Sequence, residues 1–232
     1  MELVTNGLVV GLVFPVVPPG MSAPSTGVPE ITFDHLSRIF GEVAPAYGYR
    51  NFQSDPGGNG GRISGPDPRN GVAIQPGLVQ FFDAVDLGPA KATENAVGVL
   101  RIVAKHLGLA HVLQVGVKWT FKTTPPGSDG RAFVLSRLLS RTEGEIAELS
   151  LGGSIWAGAR FVTRSPDEQS QFGVRIEPLE LDQTQLYLEN DAAFMERTPG
   201  VLASSASGLA DAVREALEHV QGPVMNYLEK LR

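Results

Sequence analysis

The sequence contains no cysteine. This absence excludes disulfide bonds, thiolate nucleophiles and cysteine-ligated metal sites within the chain. Charged residues are also few, at 19% of the 232 residues, and the formal net charge is −6. A mildly acidic chain has no overall electrostatic attraction to phosphate backbones, so this charge argues against nucleic-acid binding as the main function.

Catalytic motifs are absent as well. The sequence has no Gly-x-Ser-x-Gly segment that would present a nucleophilic serine. The glycine-rich stretch Gly57–Gly61 lacks the lysine that follows a phosphate-binding loop, because the first lysine of the chain is Lys91. His106 and His111 flank Gly108, which should end a helix, so they lack the helical spacing of a metal-binding pair. The sequence predicts no catalytic residue, no metal site and no cofactor.

Positive charge is missing from the beginning of the chain, where no lysine or arginine precedes Arg38. The apolar run Leu8–Val17 therefore lacks the basic flank of a signal peptide. The run is also much shorter than the ~20 apolar residues that a membrane span needs. We expect it to form a buried first strand over Gly7–Val17, in a cytoplasmic protein with no membrane association.

A regular alternation of apolar and polar residues is present in the segment His111–Thr123. Successive side chains of a strand point to opposite faces, so this pattern places one set on each face. The apolar set is Leu113, Val115, Val117, Trp119 and Phe121. The other set is Gln114, Gly116, Lys118, Thr120 and Lys122. The alternation predicts a long antiparallel strand with one buried face.

The remaining elements follow from apolar spacing and turn residues. In the first part of the chain we predict a helix at Phe33–Ala46 capped by Thr32, strands at Tyr47–Ser54, Val72–Gln75 and Leu78–Phe82, and a helix from Pro89 to Leu107. In the second part we predict a short helix near Phe133, strands at Glu145–Leu151, Ile155–Thr163, Gln171–Leu181 and Gln183–Asn190, and a last helix interrupted at Gly222-Pro223, with His219 on its polar side. The order is β-α-β-β-β-α-β and then α-β-β-β-(β)-α. It predicts an α+β fold, with helices packed on one face of a largely antiparallel sheet.

A proline- and glycine-rich segment, Thr124–Gly130, divides this pattern into two halves, 1–124 and 130–232, with one continuous domain as the alternative. The element order, the apolar opening strand and the glycine-containing strand Gly116–Trp119 (GVKW) resemble a sporadically distributed family of uncharacterised bacterial proteins. The resemblance implies a bacterial, soluble α+β protein. It implies no catalytic residue and no substrate.

The polar face of the alternating strand is the candidate ligand or partner surface. If arginines from the later strands point the same way, the face becomes basic and suits an anionic ligand, RNA or an acidic partner; an ordinary solvent-exposed face is the alternative. The candidate residues are Gln114, Lys118, Thr120, Lys122, Arg160 and Arg175. Trp119 and Phe121 fall on the apolar face, so they are not available for stacking on bases.

By elimination, the sequence predicts a non-catalytic intracellular protein that acts in protein–protein interaction or assembly. Its partner is another protein or a second copy of itself, held at the sheet edges or the C-terminal helix. A small-molecule-binding or enzymatic domain is the first alternative, with the glycine-rich loop and Lys118 and Lys122 lining a cleft between the halves. Nucleic-acid binding through the local basic face is the second alternative.

Overall fold

The computed structural model describes residues 1–15, 31–109, 112–147, 157–166, 168–195 and 206–231. These residues form one nine-stranded antiparallel sheet in the order β2-β3-β4-β5-β1-β6-β9-β8-β7. The strands are β1 (Leu3–Val13), β2 (Asn51–Ser54), β3 (Gly61–Ser64), β4 (Gly71–Gln75), β5 (Leu78–Asp83), β6 (Gln114–Thr123), β7 (Ala159–Arg164), β8 (Ser170–Leu179) and β9 (Asp182–Met195). The helices are α1 (Phe33–Tyr47), α2 (Pro89–Leu107), α3 (Gly130–Phe133), α4 (Glu143–Ala147), α5 (Ala206–His219) and α6 (Met225–Lys230). The predicted α+β class is confirmed.

The strand β6 lies inside the sheet, next to the central strand β1, and it pairs with β1 on one side and with β9 on the other. Its predicted apolar face is confirmed at Val115, Val117, Trp119 and Phe121, which are all 0% exposed. Leu113 is different, because it precedes the strand and is 55% exposed. The pairing of β6 with β9 makes one sheet from both parts of the sequence, and the division at 124–130 stays a prediction.

The helices pack on the face of the sheet that carries these β6 residues. Leu36 and Ile39 of α1, Leu100 of α2 and Val213 of α5 are buried in the same hydrophobic core as Trp119. The predicted packing of helices on one face is therefore confirmed for these three. Within the described parts of the chain, no helix is both long and apolar enough to cross a bilayer.

Two buried side chains of the sheet donate hydrogen bonds to the backbone of α5. Trp119 Nε1 donates to the carbonyl of Val213 at 3.1 Å, and Asn190 Nδ2 donates to the carbonyl of Ala216 at 2.7 Å. Trp119 and Asn190 are directly opposed on β6 and β9. The sheet and the last helix are thus joined by polar contacts as well as by apolar burial.

Several local predictions are confirmed by the backbone geometry. The hydroxyl of Thr32 accepts from the backbone N–H of His35 and caps α1. Gly108 ends α2 in the left-handed conformation. The β4–β5 hairpin turns at Gly77, whose φ of 80° is a value that favours glycine. In these places the residue type and the backbone conformation agree.

The sequence does not predict the strand β3: its first residue, Gly61, belongs to the glycine-rich stretch Gly57–Gly61, and no element is predicted over residues 62–64. Ile63 is its one large apolar residue, and glycines lie on both sides, so the segment shows no alternation. Gly61 is buried, and a Cβ atom there would lie 2.6 Å from the carbonyl oxygen of Gln53. The glycine is needed for close approach to β2. The predicted strand at Tyr47–Ser54 is correspondingly shorter, because Tyr47 belongs to α1.

The predicted strand at Glu145–Leu151 is wrong for its described residues, since Glu145–Ala147 lie in α4. Thr142 and Glu145 form a capping box. The Thr142 hydroxyl accepts from the Glu145 N–H at 3.3 Å, and the Glu145 carboxylate accepts from the Thr142 N–H at 2.7 Å. The spacing Thr-x-x-Glu is a signal for the start of a helix, and here it outweighs the alternation of apolar and polar residues that predicts a strand. Parts of several predicted strands lie outside the described residues. These parts are 148–151 of this strand, 155–156 of the strand predicted at Ile155–Thr163, 16–17 of the first strand, and His111.

The last helix is interrupted at the predicted place. A π-helical turn at Val220–Val224 contains Gly222 and Pro223 and leads directly into α6. Proline cannot donate a backbone hydrogen bond, so the wider turn accommodates it. Val220, Met225 and Leu228 are buried in the protein's own core, and they are not free to fill a partner's groove.

The sequence predicts His219 on the polar side of the last helix, but in the structure its side chain packs against the sheet. Its ring stacks on Phe172 of β8, with centroids 4.3 Å apart and planes 16° apart. Its Nδ1 atom is buried and has no hydrogen-bond partner among the described residues. Burial lowers the pKa of His219 below its ordinary value of 6.5.

This environment makes stability depend on pH. The unfolded chain binds a proton at His219 at a higher pH than the folded chain does, so the free energy of unfolding should fall as the pH drops below about 6.5. The loss should level off below the lowered pKa of the folded state. Urea unfolding between roughly pH 7.5 and pH 5 measures it. His219→Phe keeps the stacked ring and should show a smaller pH dependence, whereas an equal dependence in both proteins would contradict the assignment.

Candidate functional site

The face of the sheet opposite the helices, here called the open face, contains all six predicted surface residues. Directly opposed residues of antiparallel strands point to the same side, so the register assigns each position to a face. One row crosses four strands and consists of Thr120, Glu189, Arg175 and Arg160. Gln114, Lys118 and Lys122 share this side because they alternate with the buried residues of β6. Their role as a ligand or partner surface stays a prediction.

The open face is mixed in charge, whereas the sequence suggested a basic face. Lys118 Nζ lies 3.6 Å from Glu189 Oε2. The Arg175 guanidinium donates two hydrogen bonds to Glu177, at 2.9 and 2.7 Å, and this carboxylate raises the pKa of Arg175. Asp191 pairs in register with Lys118 on the same face. Carboxylates therefore offset part of the positive charge.

The sequence prediction does not include these carboxylates, because it leaves open whether the segment that forms β9 is a strand. Burial alternates along its segment Leu186–Asp191, where Leu186, Leu188 and Asn190 are buried. The residues that alternate with them, on the open face, are Tyr187, Glu189 and Asp191. Pairing this alternation with that of β6 would have revealed a face of both signs. Burial raises the pKa of Tyr187, whose hydroxyl donates to Glu189 at 2.9 Å.

The other part of the open face, on β1 and β5, carries two apolar pairs, with Gly11 and the exposed Gln80 between them. Val9, Val13, Leu78 and Phe82 are directly opposed in two rows, and each is only partly buried. The guanidinium carbon of Arg62 lies 4.5 Å from the centre of the Phe82 ring. Apolar side chains that are left partly in water next to a charged region are typical of surfaces that bind other proteins.

No described residue covers the middle of the open face. Gly11 of β1 and Gly116 of β6 are directly opposed there. A Cβ atom placed on Gly116 would meet no atom within 4 Å, and the nearest atoms to one placed on Gly11 belong to the neighbouring strand β5, at 3.8 to 3.9 Å. No described residue therefore lies over Gly116, and the surface is low at this point.

The predicted cleft between the halves does not bring its expected residues together. The glycine-rich loop joins β2 to β3 at one edge of the sheet, where the Asp55 N–H donates to the Gly60 carbonyl at 2.8 Å. Three strands, β4, β5 and β1, separate β3 from β6, which carries Lys118 and Lys122. The loop and the two lysines do not line a common cavity.

Neither of two surface cavities lined by described residues contains a predicted site residue. One, of about 360 Å³, is lined by Ser128, Asp129, Arg131, Ala132, Leu135, Gln183 and Thr184. The other, of about 220 Å³, is lined by Met1, Leu3, Gln221, Met225, Asn226 and Glu229. In the first, Asp129 caps α3 through the N–H of Ala132, so its carboxylate already has a structural role. The described residues also contain no group of three or more His, Asp and Glu residues that could hold a metal ion.

Comparison with known proteins does not place the chain in a family. No protein-family model matches it, and no curated protein matches it. The resemblance drawn from the element order and the strand Gly116–Trp119 stays a prediction. The functional proposal accordingly depends on the geometry of the open face.

Proposed function

We propose that the protein acts, without catalysis, in assembly, and that its open face packs against the open face of a second copy of the chain. The observation that supports this most strongly is that the described residues leave the sheet uncovered at Gly116, while Val9 and Phe82 on the same face are partly exposed. Cytoplasmic location and bacterial origin belong to the same proposal and are supported by the sequence patterns alone.

The open face is large enough for a stable dimer. It crosses nine strands, which at ~4.8 Å spacing gives a width of about 40 Å. Four alternating positions along the central strands cover about 20 Å. The resulting area, on the order of 800 Å², is what each partner buries in a typical stable interface.

The charge pattern favours a second copy over a strongly charged partner. Glu189 lies beside Lys118, and Glu177 lies beside Arg175, so neither sign dominates the central rows. A two-fold interface brings the same surface from both subunits together, which requires that surface to complement itself. Neighbouring charges of both signs around an apolar patch meet this requirement.

The substitution Gly116→Arg tests the proposal. It should leave the fold intact, because the added side chain meets open space and Gly116 does not have the positive φ that disfavours other residues. It would bury an uncompensated charge in the interface, so we expect the dissociation constant of the dimer to rise more than about a hundredfold. Sedimentation equilibrium should give twice the 24.7 kDa chain mass for the unchanged protein and a single chain mass for the variant.

Gly41→Arg is the matched control, since Gly41 lies on the exposed side of α1 and also has open space around it. This variant should remain dimeric. An unchanged protein that stays monomeric at high concentration, or a Gly116→Arg dimer as tight as the control, would refute assembly through the open face.

A further inference from the structure

The outer edge of β7 carries backbone groups that no described strand uses. β7 is the last strand of the sheet and pairs with β8 alone. The N–H of Ser165 donates to the carbonyl of Ser170 at 2.9 Å, so Ser165 faces β8. Backbone direction alternates along a strand, so Phe161 and Thr163 also face β8. The N–H and C=O groups of the intervening residues, Arg160, Val162 and Arg164, therefore point away from the sheet.

The side chains of these three residues lie on the open face and are exposed. Val162 is 53% exposed and stands between the two arginines. Arg164 Nε donates to the amide oxygen of Gln171 at 3.2 Å, which is a neutral partner. Neither arginine forms an ion pair with a carboxylate of the described residues. The edge thus presents a cation, an apolar side chain and a second cation at alternating positions.

The opposite side of β7 carries an aromatic pair at the same edge. Phe161 is 39% exposed and Tyr227 of α6 is 42% exposed. Their rings meet edge to face, with centroids 5.8 Å apart. An added strand would cover part of this pair, which would remove further apolar surface from water.

We propose that the edge of β7 binds an extended acidic segment of another protein, which adds to the sheet as an antiparallel tenth strand. Its backbone would pair with Arg160, Val162 and Arg164, so its side chains at alternating positions would lie opposite these three. Acidic residues fit opposite the two arginines, and an aliphatic residue fits opposite Val162. The position opposite Phe161 fits an apolar or aromatic residue, and the position opposite Thr163 fits a polar one. Read from its N-terminal end, opposite Arg164, the recognised segment is therefore acidic, polar, aliphatic, aromatic and acidic.

A second copy of β7 is a poorer occupant of this edge. Antiparallel pairing of two β7 strands over their full length would set Arg160 of one copy opposite Arg164 of the other. Like charges that are directly opposed destabilise a strand pair. The charges at this edge therefore disfavour pairing with a second β7 strand and favour a segment of opposite charge.

A synthetic peptide, acetyl-Ser-Glu-Thr-Val-Phe-Glu-Ser-amide, tests the proposal by titration calorimetry on the full chain. It should bind, with an affinity that falls as salt is added, and the same peptide with lysine in place of both glutamates should not. Charge reversal of the protein, Arg160→Glu with Arg164→Glu, should weaken the glutamate peptide at least about tenfold and should restore binding of the lysine peptide. Absence of binding by the glutamate peptide, or equal binding of both peptides, would overturn the proposal.

Val162→Pro tests whether binding occurs by strand addition. It removes an outward N–H that β8 does not use, and proline is tolerated at an edge in this orientation. We expect at least about tenfold weaker peptide binding, whereas Val162→Thr, which keeps the N–H, should bind normally. Circular dichroism and thermal unfolding should show that both variants fold. Equal binding by the two variants would rule out backbone pairing at this edge.

Amide hydrogen exchange gives a readout that is independent of affinity. In the free protein, the amides of Phe161 and Thr163 should exchange slowly and those of Arg160, Val162 and Arg164 quickly; the peptide should slow the latter three. Slow exchange of those three in the free protein would show that another segment or a second copy already occupies the edge.

The Gly116→Arg variant should bind the peptide as the unchanged protein does, so this proposal and assembly through the open face can fail separately.

Discussion

Replacing Trp119 with alanine is expected to lower the free energy of unfolding by about 3 to 5 kcal/mol. Trp119 is the largest fully buried side chain among the described residues and lies in β6, between β1 and β9. Its ring packs beside Phe121, with centroids 6.2 Å apart, and its Nε1 donates to the Val213 carbonyl. Alanine would leave a cavity between the sheet and α5 and would remove the hydrogen bond between them.

Urea unfolding followed by circular dichroism measures this loss. Trp119→Phe keeps most of the apolar contact and removes the hydrogen bond, so it should cost less, about 1 to 2 kcal/mol. Phe33→Ala is a control at an aromatic residue that is 59% exposed, and its cost should be below about 1 kcal/mol. A Trp119→Ala cost as small as that of the control would mean that this face of β6 does not form the core.

The second large effect is expected for Asn190→Asp. Asn190 is 0% exposed, and its Nδ2 donates to the Ala216 carbonyl, while its Oδ1 has no partner among the described residues. An aspartate would place a carboxylate oxygen against that carbonyl oxygen and would bury an unpaired charge. We expect a loss of about 3 to 5 kcal/mol in the free energy of unfolding at neutral pH.

The pH dependence of this variant separates charge from shape. Burial would raise the pKa of the introduced carboxyl above its ordinary value of ~3.9, so the folded state would bind the proton more tightly than the unfolded state. The loss of stability should therefore grow as the pH rises. Asn190→Leu has a similar volume and no charge, and it should show a smaller, pH-independent loss. Matching losses for both variants at every pH would contradict the buried position of Asn190.

The parts of the fold that the sequence predicted well are those governed by local rules. The alternation in β6 identified its buried face, and Thr32 marked the beginning of α1, because both signals depend on neighbouring residues alone. The strand β3 could not be found in this way. Its glycines are explained by the approach of β2, a contact between segments that the sequence pattern does not reveal.

The sequence predicted only part of the charge pattern of the open face, for a similar reason. The alternation of β6 placed Lys118 on this face, but the charge of its neighbours depends on which strand pairs with β6. The register with β9 brings Asp191 opposite Lys118 and Glu189 opposite Thr120. A strand with two lysines is thereby part of a mixed face, and of the two partners that the sequence predicts, another protein or a second copy of the chain, this face favours the second copy.

Hydroxyl-radical footprinting of the full chain, above and below the concentration at which it associates, tests assembly through the open face most directly. Association should protect Phe82, Leu78 and Tyr187, which lie on that face. Phe33 and Tyr227, exposed on other surfaces, should stay equally reactive at both concentrations. Open-face residues that remain reactive while the protein associates, or protection of Tyr227 in their place, would contradict the account.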